Sequence, residues 1–364
     1  MDNKMIFNAI CARMDSNPLD TVLYTDAFSC LRNEGESDIA TACELNHQLM
    51  NRVAKSMLLA KENGQTKVIQ NLHDVFRKQL FYSAPYCLDD FARAIEIDRP
   101  PHKRFYAPRR HYLRPMVQGY QDVLDGKLRL LTVSMPKRAG KSQTEILFTL
   151  LLSGRFPDKS TLMEGTGDDL VKSFYNGCLE YLQTPNEYNY YDIFPAVPLV
   201  QTNADTKTIN LLNKSRFPTV MCRSIDARQV GLSEASNALI LDDCVEGREE
   251  AKNRQRLDDK WEVISGDIMG RAIEGTPMVF TGTRYSLYDP IGRVQEHAQR
   301  EGWAWRAIEI PALDLVTDES NYEYEREGKK VFTTAYFREQ RELLSAEQFE
   351  SEFQQQPFEA KGLL

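Results

Sequence analysis

Hydrophobic and polar positions divide the chain into three stretches of different character. Residues 1–95 repeat apolar positions at helical spacing, with acidic and polar residues on the outer positions. Over residues 104–312, short apolar runs of strand length alternate with helical stretches, which predicts an α/β fold with a mainly parallel sheet covered by helices on both faces. The chain is charged and helical through residues 332–353. The predicted division is a helical N-terminal region (1–100, ending at the Pro100-Pro101 pair), a core (101–312) and a small helical lid or linker (313–364).

The most informative local pattern covers residues 128–152, where an apolar run is followed by the polar loop MPKRAGKS and then by an apolar run of helix-forming length. Gly140 allows the backbone to approach phosphate groups, and the amides that open the following helix favour anions. Lys141 can reach the β- and γ-phosphates of a nucleoside triphosphate, and Ser142 can bind Mg²⁺. A strict pattern also requires glycine where this chain has Met135, so an ordinary strand, loop and helix with a solvated lysine is the alternative.

A second motif occurs where the apolar run 237–241 ends in Asp242 and Asp243. Carboxylates at a strand end hold Mg²⁺ and polarise water in loop-type NTPases. We expect Asp242, which follows the strand directly, to be a metal ligand together with Ser142. We expect Asp243 to orient or deprotonate the attacking water, and Glu246 is a weaker candidate because Asp243 has a shorter side chain than the usual glutamate. The alternative is a strand that ends in a solvated acidic turn.

A third apolar run, 277–280, ends in two threonines, a glycine and Arg284. Hydroxyl groups and a glycine at a strand end can sense a γ-phosphate, although this run alone is not specific. The predicted nucleotide contacts from both segments are Pro136, Lys137, Arg138, Ala139, Gly140, Lys141, Ser142, Gln143, Thr281, Gly282 and Thr283.

Together these segments resemble the ATPase part of the large terminase subunit of tailed phages, the motor that packages DNA into a procapsid. The loop PKRAGKS resembles the Walker A loop of that family, which often lacks the first glycine, so Met135 fits it. The segment ALILDDCVEGREEA at 238–251 is similar to the Walker B strand, and TGTRY at 281–285 resembles the coupling motif. Further segments resemble the family in the same order, at 160–170, 302–312 and 349–357.

Two positions depart from the family pattern without touching the proposed chemistry. Cys244 stands where proline is often found, and Tyr285 stands where tryptophan is common. The resemblance covers residues 104–360 and implies a P-loop NTPase in which the coupling strand lies between the two strands that carry phosphate motifs.

The resemblance also implies ligands and partners. The ligands are ATP and Mg²⁺, and the partners are double-stranded DNA, the small terminase subunit and further copies of the chain in a ring on the portal, in the host cytoplasm. Large terminases usually continue into an RNase H-like nuclease, whereas only residues 358–364 follow the closing segment here, which suggests a truncated chain or a split gene. We therefore expect ATP hydrolysis that drives DNA translocation, without DNA cleavage.

Hydrolysis of this kind usually needs an arginine that stabilises charge in the transition state. Arg138 can act from within the loop. In a ring, a neighbouring subunit can supply Arg223 or Arg228, and Arg228 is the first choice because it lies in a polar loop before the second motif. The alternative is that Arg228 is a surface residue that forms a salt bridge, and this explains its presence equally well.

Charge is uneven along the chain, whose formal net charge is −8. Residues 101–160 carry 12 Lys and Arg against 4 Asp and Glu, a balance of +8 that leaves −16 elsewhere. A local basic face is enough to contact DNA phosphates. Contact with the nucleotide, or with a neighbouring subunit, explains this charge equally well. The aromatic residues Phe105, Tyr106 and Tyr112 are candidates for stacking on adenine. The basic side chains beside them are Lys103, Arg104, Arg109, Arg110 and Arg114.

Other classes of function are disfavoured or left open by composition. No apolar run reaches membrane-spanning length, and the first residues lack a secretory pattern. The 7 cysteines form no CxxC pair and no spacing that a histidine completes into a metal cluster, so we expect reduced thiols. Two further functions stay open: another DNA translocase or helicase-type ATPase, and a nucleotide-gated DNA-binding or assembly module with little turnover, which Asp243 in place of glutamate favours.

Overall fold

A computed structural model describes residues 3–227 and 233–358. The chain divides into two compact units, the first reaching Ile97 and the second beginning at Asp98. No helix among the described residues combines the length and the apolar character needed to cross a membrane.

The first unit is helical, as predicted. Two of its helices, α2 and α3, begin where an aspartate side chain accepts a hydrogen bond from a backbone amide: Asp20 accepts from the amide of Val22 at 3.1 Å and Asp38 from that of Thr41 at 3.0 Å. Apolar side chains at helical spacing meet in one core that includes Phe7, Leu31 and Val53. The helices are α1 Asn3–Ser16, α2 Thr21–Gly35, α3 Ile39–Glu62, α4 Thr66–Ser83 and α5 Leu88–Ala94.

The second unit is built on a sheet of eight strands. Their order across the sheet is β3-β4-β5-β2-β6-β7-β1-β8, and every pairing from β5 to β8 is parallel. The strands β3 and β4 extend one side of the sheet in antiparallel fashion. The strands are β1 Leu130–Ser134, β2 Thr161–Gly165, β3 Leu199–Asn203, β4 Thr208–Leu211, β5 Val220–Ser224, β6 Ala238–Asp242, β7 Met278–Gly282 and β8 Trp305–Glu309.

Every residue of β1, β2, β6 and β7 is buried. Strands that are buried on both faces need helices on both sides, which explains the apolar runs at 238–241 in β6 and 278–280 in β7. The predicted mainly parallel sheet is confirmed. The order also places β7 between β6 and β1, as the resemblance implies, so the ends of all three motif strands meet at one edge.

Helices and short turns connect these strands. The 3₁₀ turns are Pro101–Lys103 and Met269–Arg271, and Val263–Ile268 is a π-helix. The helices are α6 Tyr106–Leu124, α7 Lys141–Arg155, α8 Asp168–Gln183, α9 Tyr190–Ile193, α10 Arg248–Ala251, α11 Arg254–Glu262, α12 Pro290–Arg300, α13 Thr334–Leu343 and α14 Ala346–Glu352.

The C-terminal segment was expected to be helical, and this expectation is partly wrong. An antiparallel hairpin of β9 Tyr324–Arg326 and β10 Lys329–Val331 precedes the helix pair α13 and α14. The side chain of Gln354 then binds both backbone groups of Leu313, with its Oε1 accepting and its Nε2 donating at 3.0 Å each. These bonds attach the end of the described chain to the segment that follows β8.

Candidate active site

The loop between β1 and α7 has the backbone geometry of an anion cradle. Gly140 adopts φ 100° and directly precedes the first helical residue, Lys141. A Cβ atom at Gly140 would lie 3.0 Å from the ring of Phe105, so both the backbone angle and the space favour glycine. No side chain caps the first turn of α7. Its free amides and the positive end of the helix dipole therefore suit a phosphate group.

Lys141 lies beneath this loop and is 6% exposed. Its ammonium group donates to the carbonyl oxygens of Met135 at 2.8 Å and Pro136 at 3.2 Å, and lies 3.4 Å from Thr283 Oγ1. The backbone of the loop thus holds the positive charge of Lys141 at the point where the loop turns into the helix. This places the lysine close to any anion that the amides of α7 bind.

Ser142 and Asp242 join the loop to the end of β6. The hydroxyl group of Ser142 donates to Asp242 Oδ2 at 2.6 Å. Asp242 is fully buried, and its Oδ1 has no hydrogen-bond partner. Burial and then the neighbouring charge of Asp243 raise the pKa of the Asp242 carboxyl. A buried carboxylate oxygen without a partner, next to a hydroxyl group, fits the oxygen ligands that Mg²⁺ takes.

Asp243 follows in a left-handed backbone conformation, with φ 40°. Its amide donates to the carbonyl oxygen of Thr281 at 2.8 Å, and its Oδ1 accepts from the amide of Thr283 at 3.2 Å. The hydroxyl group of Thr166 donates to its carbonyl oxygen. These bonds from β7 and from the end of β2 fix a conformation that a non-glycine residue otherwise avoids. They turn the Asp243 side chain toward the end of β7 and leave it half-buried.

The two threonines at the end of β7 have different surroundings. Thr283 connects Asp243, through its amide, to Lys141, through its hydroxyl group. The hydroxyl group of Thr281 instead donates to Glu145 Oε1 on α7 at 2.5 Å, and the hydroxyl group of Tyr120 lies 3.2 Å from it. Thr283 therefore faces the loop, whereas Thr281 has a buried partner inside the unit. A direct contact of Thr281 with nucleotide stays a prediction.

Glu145 was not identified from the sequence. It is fully buried in α7, where its Oε1 accepts from both Thr281 and Tyr120. Burial, and then the charge of Asp242, raise the pKa of the Glu145 carboxyl. Its hydrogen bonds to Tyr120 and Thr281 connect α6, α7 and β7.

The remaining loop residues lie around the cradle. Pro136 and Ala139 are buried, and Lys137 and Arg138 are exposed. Arg138 has φ 64°, so the backbone reverses at this position. Gln143 donates to the hydroxyl group of Tyr181 on α8 at 2.9 Å, which orients it toward a groove of ≈ 670 Å³ between the loop and α8. Ser142 and Asp242 also line this groove.

Glu352, near the end of α14, was also missed. Its side chain is 6% exposed and accepts a hydrogen bond from Arg248 Nε on α10, and Lys137 Nζ of the loop lies 3.8 Å from its Oε2. The closing segment was noted in the sequence only for its resemblance. No local pattern reveals that its carboxylate meets the residues that follow β1 and β6.

The aromatic candidates for adenine stacking require a correction. Tyr106 is fully buried and Tyr112 is 4% exposed, with its ring 4.9 Å from that of Tyr322. Both side chains lie on the buried face of α6. Neither is therefore available to stack on adenine. Phe105 contacts the loop at Gly140 and stacks with Arg109, whose guanidinium carbon lies 5.0 Å from the ring centre.

The arginine candidates differ in what the structure shows of their surroundings. Arg228 lies outside the described residues. Arg223 is in β5, where its guanidinium donates to Ser233 at 3.3 Å. In the basic cluster, Arg104 donates to the carbonyl oxygen of Arg99 and Arg109 to that of Phe105, both at 2.8 Å. Glu246 is exposed, and its amide donates to Glu250 at 2.7 Å.

Two solved structures of phage proteins are similar to this chain. The ATPase domain of the large terminase of Thermus phage P74-26 is 12% identical over 66% of this chain and 93% of that one, with a TM-score of 0.45. The large terminase of bacteriophage HK97 is 11% identical over 68% of this chain and 50% of that one, with a TM-score of 0.44. No protein-family model and no curated protein sequence matches the chain. Both structures belong to the class of protein that the sequence motifs resemble.

Proposed function

We propose that this chain hydrolyses ATP and uses the energy to translocate double-stranded DNA, as the ATPase motor of viral DNA packaging. The observation that supports hydrolysis most directly is the contact between Ser142 and Asp242, with Asp242 Oδ1 left without a partner. The loop after β1 and the end of β6, which are distant in sequence, meet at this contact. Their oxygen atoms are the kind of ligand that Mg²⁺ takes, and they lie next to a loop that suits phosphate groups.

The residues then have distinct roles. The amides after Gly140 bind phosphate oxygens, and Lys141 exchanges its carbonyl partners for the β- and γ-phosphates. Ser142 and Asp242 would hold Mg²⁺, which would supply positive charge that neutralises the phosphates. Pro136, Ala139 and Gln143 shape the loop, while Lys137 and Arg138 present charge on its outer side.

Asp243 positions the attacking water and accepts its proton. The amide of Thr283 holds one carboxylate oxygen of Asp243, at 3.2 Å, and leaves the other available to water. Thr283 also lies next to Lys141. Loss of the γ-phosphate would change the partners of Lys141, and Thr283 would pass this change to Asp243. Gly282 allows this approach, since a Cβ there would lie 3.3 Å from Asp243 Oδ1.

An arginine neutralises the negative charge that develops on the phosphates in the transition state. Arg138 is exposed at a reversal of the loop and can turn toward a bound γ-phosphate from within the chain. In a homo-oligomeric ring, a neighbouring copy supplies Arg228 or Arg223. The ring, the portal, the small terminase subunit and the host cytoplasm enter this proposal through the family resemblance of the motifs.

DNA contact is assigned to the basic stretch 101–160. Lys103 and Arg114 are exposed there. Such side chains bind backbone phosphates without reading sequence, so binding should weaken steeply with added salt.

Steady-state ATP hydrolysis with Mg²⁺, with and without linear duplex DNA, tests the proposal. Wild-type protein should turn over ATP faster with DNA, and Asp243→Asn should lose turnover while it still binds ATP. Glu246→Gln is the matched control, because Glu246 is exposed in the same loop and should keep its rate. Activity lost in Glu246→Gln and kept in Asp243→Asn would reverse the two assignments.

Two results would favour the other functions. Tight ATP binding without turnover, at protein concentrations high enough for assembly and with DNA present, would indicate a nucleotide-gated module. ATP-driven strand separation on a forked substrate would indicate a helicase-type motor.

A further inference from the structure

Three side chains of the first unit come together in a cluster that the sequence did not predict. They are His47 in α3, Cys87 immediately before α5, and Asp90 in the first turn of α5, and their ligand atoms all lie within 4.8 Å of one another. His47 Nε2 and Asp90 Oδ2 are 2.7 Å apart. Among residues 3–227 and 233–358, this is the one group of at least three His, Cys, Asp or Glu side chains with such spacing.

The fold fixes two of these ligands before any ion arrives. Asp90 is 1% exposed and accepts a hydrogen bond from Ser83 Oγ at 2.5 Å, and Arg93 lies 3.5 Å from its second oxygen. Cys87 is held by its place at the start of α5, where its carbonyl oxygen accepts from the amide of Phe91 at 2.8 Å. Such outer contacts orient metal ligands in proteins.

The third ligand faces solvent. The side chain of His47 is 44% exposed, so water reaches the cluster from this side. An ion can therefore enter from solvent, and a water molecule can occupy a position that protein atoms leave open. In the described structure the imidazole hydrogen-bonds with Asp90, and the sulfur of Cys87 lies within 4.8 Å, so both other ligands are close to the ring.

We propose that the first unit binds one Zn²⁺ ion through His47 Nε2, Cys87 Sγ and Asp90 Oδ2, with water in the fourth position. Imidazole nitrogen, thiolate sulfur and carboxylate oxygen are each ligands that zinc takes, and three protein ligands with one water is a known zinc arrangement. Ligands of tetrahedral zinc lie roughly 3.3 to 3.8 Å apart, so a shift of less than about 1 Å between His47 and Asp90 accommodates the ion. The bound ion would tie the start of α5 to the middle of α3.

This site differs in chemistry from the nucleotide site. Ser142 and Asp242 offer only oxygen atoms, which suit Mg²⁺, whereas the thiolate of Cys87 selects a softer ion. An excess of Mg²⁺ therefore occupies the oxygen site and leaves the cluster available to zinc. The competing interpretation is an ion pair between His47 and Asp90 with a thiol beside it and no metal.

Cobalt spectroscopy on the full chain distinguishes these interpretations. Protein stripped with a chelator is titrated with Co²⁺ in excess Mg²⁺, and a thiolate ligand should give a charge-transfer band in the near ultraviolet that saturates at one equivalent. Zn²⁺ should abolish the band by displacement. The band should be lost in Cys87→Ser and kept in Cys43→Ser, which removes the thiol one helical turn before His47.

A second measurement covers variants that fold poorly. One equivalent of Zn²⁺ should raise the unfolding temperature of the wild type and of Cys43→Ser, and should leave that of Cys87→Ser and His47→Gln unchanged. Absence of the band in wild-type protein, or a band that survives in Cys87→Ser, would overturn the proposal and leave the ion pair as the account of this cluster.

Discussion

The ammonium group of Lys137 lies 3.8 Å from the carboxylate of Glu352. Glu352 also accepts a hydrogen bond from Arg248, so one carboxylate of α14 contacts the loop after β1 and the helix after β6. The lysine is 61% exposed, and such a pair contributes little to the free energy of unfolding because solvent screens it. Its effect is on the position of the loop.

Glu352→Gln should therefore lower turnover more than stability. We expect kcat for ATP hydrolysis to fall by about tenfold to a hundredfold, since small displacements of groups near the reacting atoms have effects of this size. Glu347→Gln on the same helix is exposed and should keep its rate. Equal rates in the two variants would remove Glu352 from the site.

Gly140→Ala should abolish nucleotide binding. The substitution meets the ring of Phe105 at 3.0 Å and also forces alanine to φ 100°. Gly126→Ala is the matched control, because Gly126 has φ 71° and nothing within 4 Å of its added Cβ, so it should cost only about 1 kcal/mol of stability and leave binding intact. Binding is measured with a fluorescent ATP analogue.

Asp242→Asn should keep the contact with Ser142 and lose the negative charge for Mg²⁺. Turnover should fall by about a hundredfold or more, because a bound metal ion contributes several kcal/mol to transition-state stabilisation. Raising the Mg²⁺ concentration should restore part of the rate if Asp242 is a ligand. Asp226→Asn, an exposed carboxylate beyond β5, should respond to Mg²⁺ as the wild type does.

Glu145 should make the stability of the second unit depend on pH. Burial raises the pKa of its carboxyl above 4.5, so folding takes up a proton. The stabilising contribution is then complete below about pH 4.5 and is lost as pH rises through the pKa of the folded state. Glu145→Gln stays neutral, so its free energy of unfolding relative to wild type should increase between about pH 5 and about pH 8.

Urea denaturation at both pH values measures this difference, and a difference that does not change with pH would contradict the assignment. Glu145→Ala provides a separate check of the contacts. It leaves the hydroxyl groups of Tyr120 and Thr281 without their shared acceptor and should destabilise by about 1 to 3 kcal/mol at either pH.

The parts of this fold that could be predicted are those encoded locally. The run before Met135 contains no proline and is mostly apolar, with Thr132 and Ser134 as its polar residues, and Gly140 marks the turn into a helix. The same reasoning located β6 and β7. The short strands β3 and β4 were not identified. β3 lies at the edge of the sheet with every residue exposed or half-buried, and β4 is buried but has only 4 residues, of which two are polar.

The hairpin of β9 and β10 did have a local signal. Glu327 and Gly328 both have positive φ, at 52° and 73°, which is the conformation of a two-residue hairpin turn. The charged residues around them resemble a solvated helix more strongly. Glu145, Glu352 and the cluster around His47 could not be predicted, because their roles depend on partners that lie far away in sequence.

The position of β1 in the sheet has a consequence for synthesis of the protein. β1 hydrogen-bonds to β7 on one side and β8 on the other, and both follow it late in the chain. While the ribosome is still making residues 135–277, β1 has neither neighbour and the loop after it has no sheet to hold it. Strand pairing over such long sequence distances is slow. A nascent chain should therefore acquire ATP affinity only after Glu309 has emerged from the ribosome.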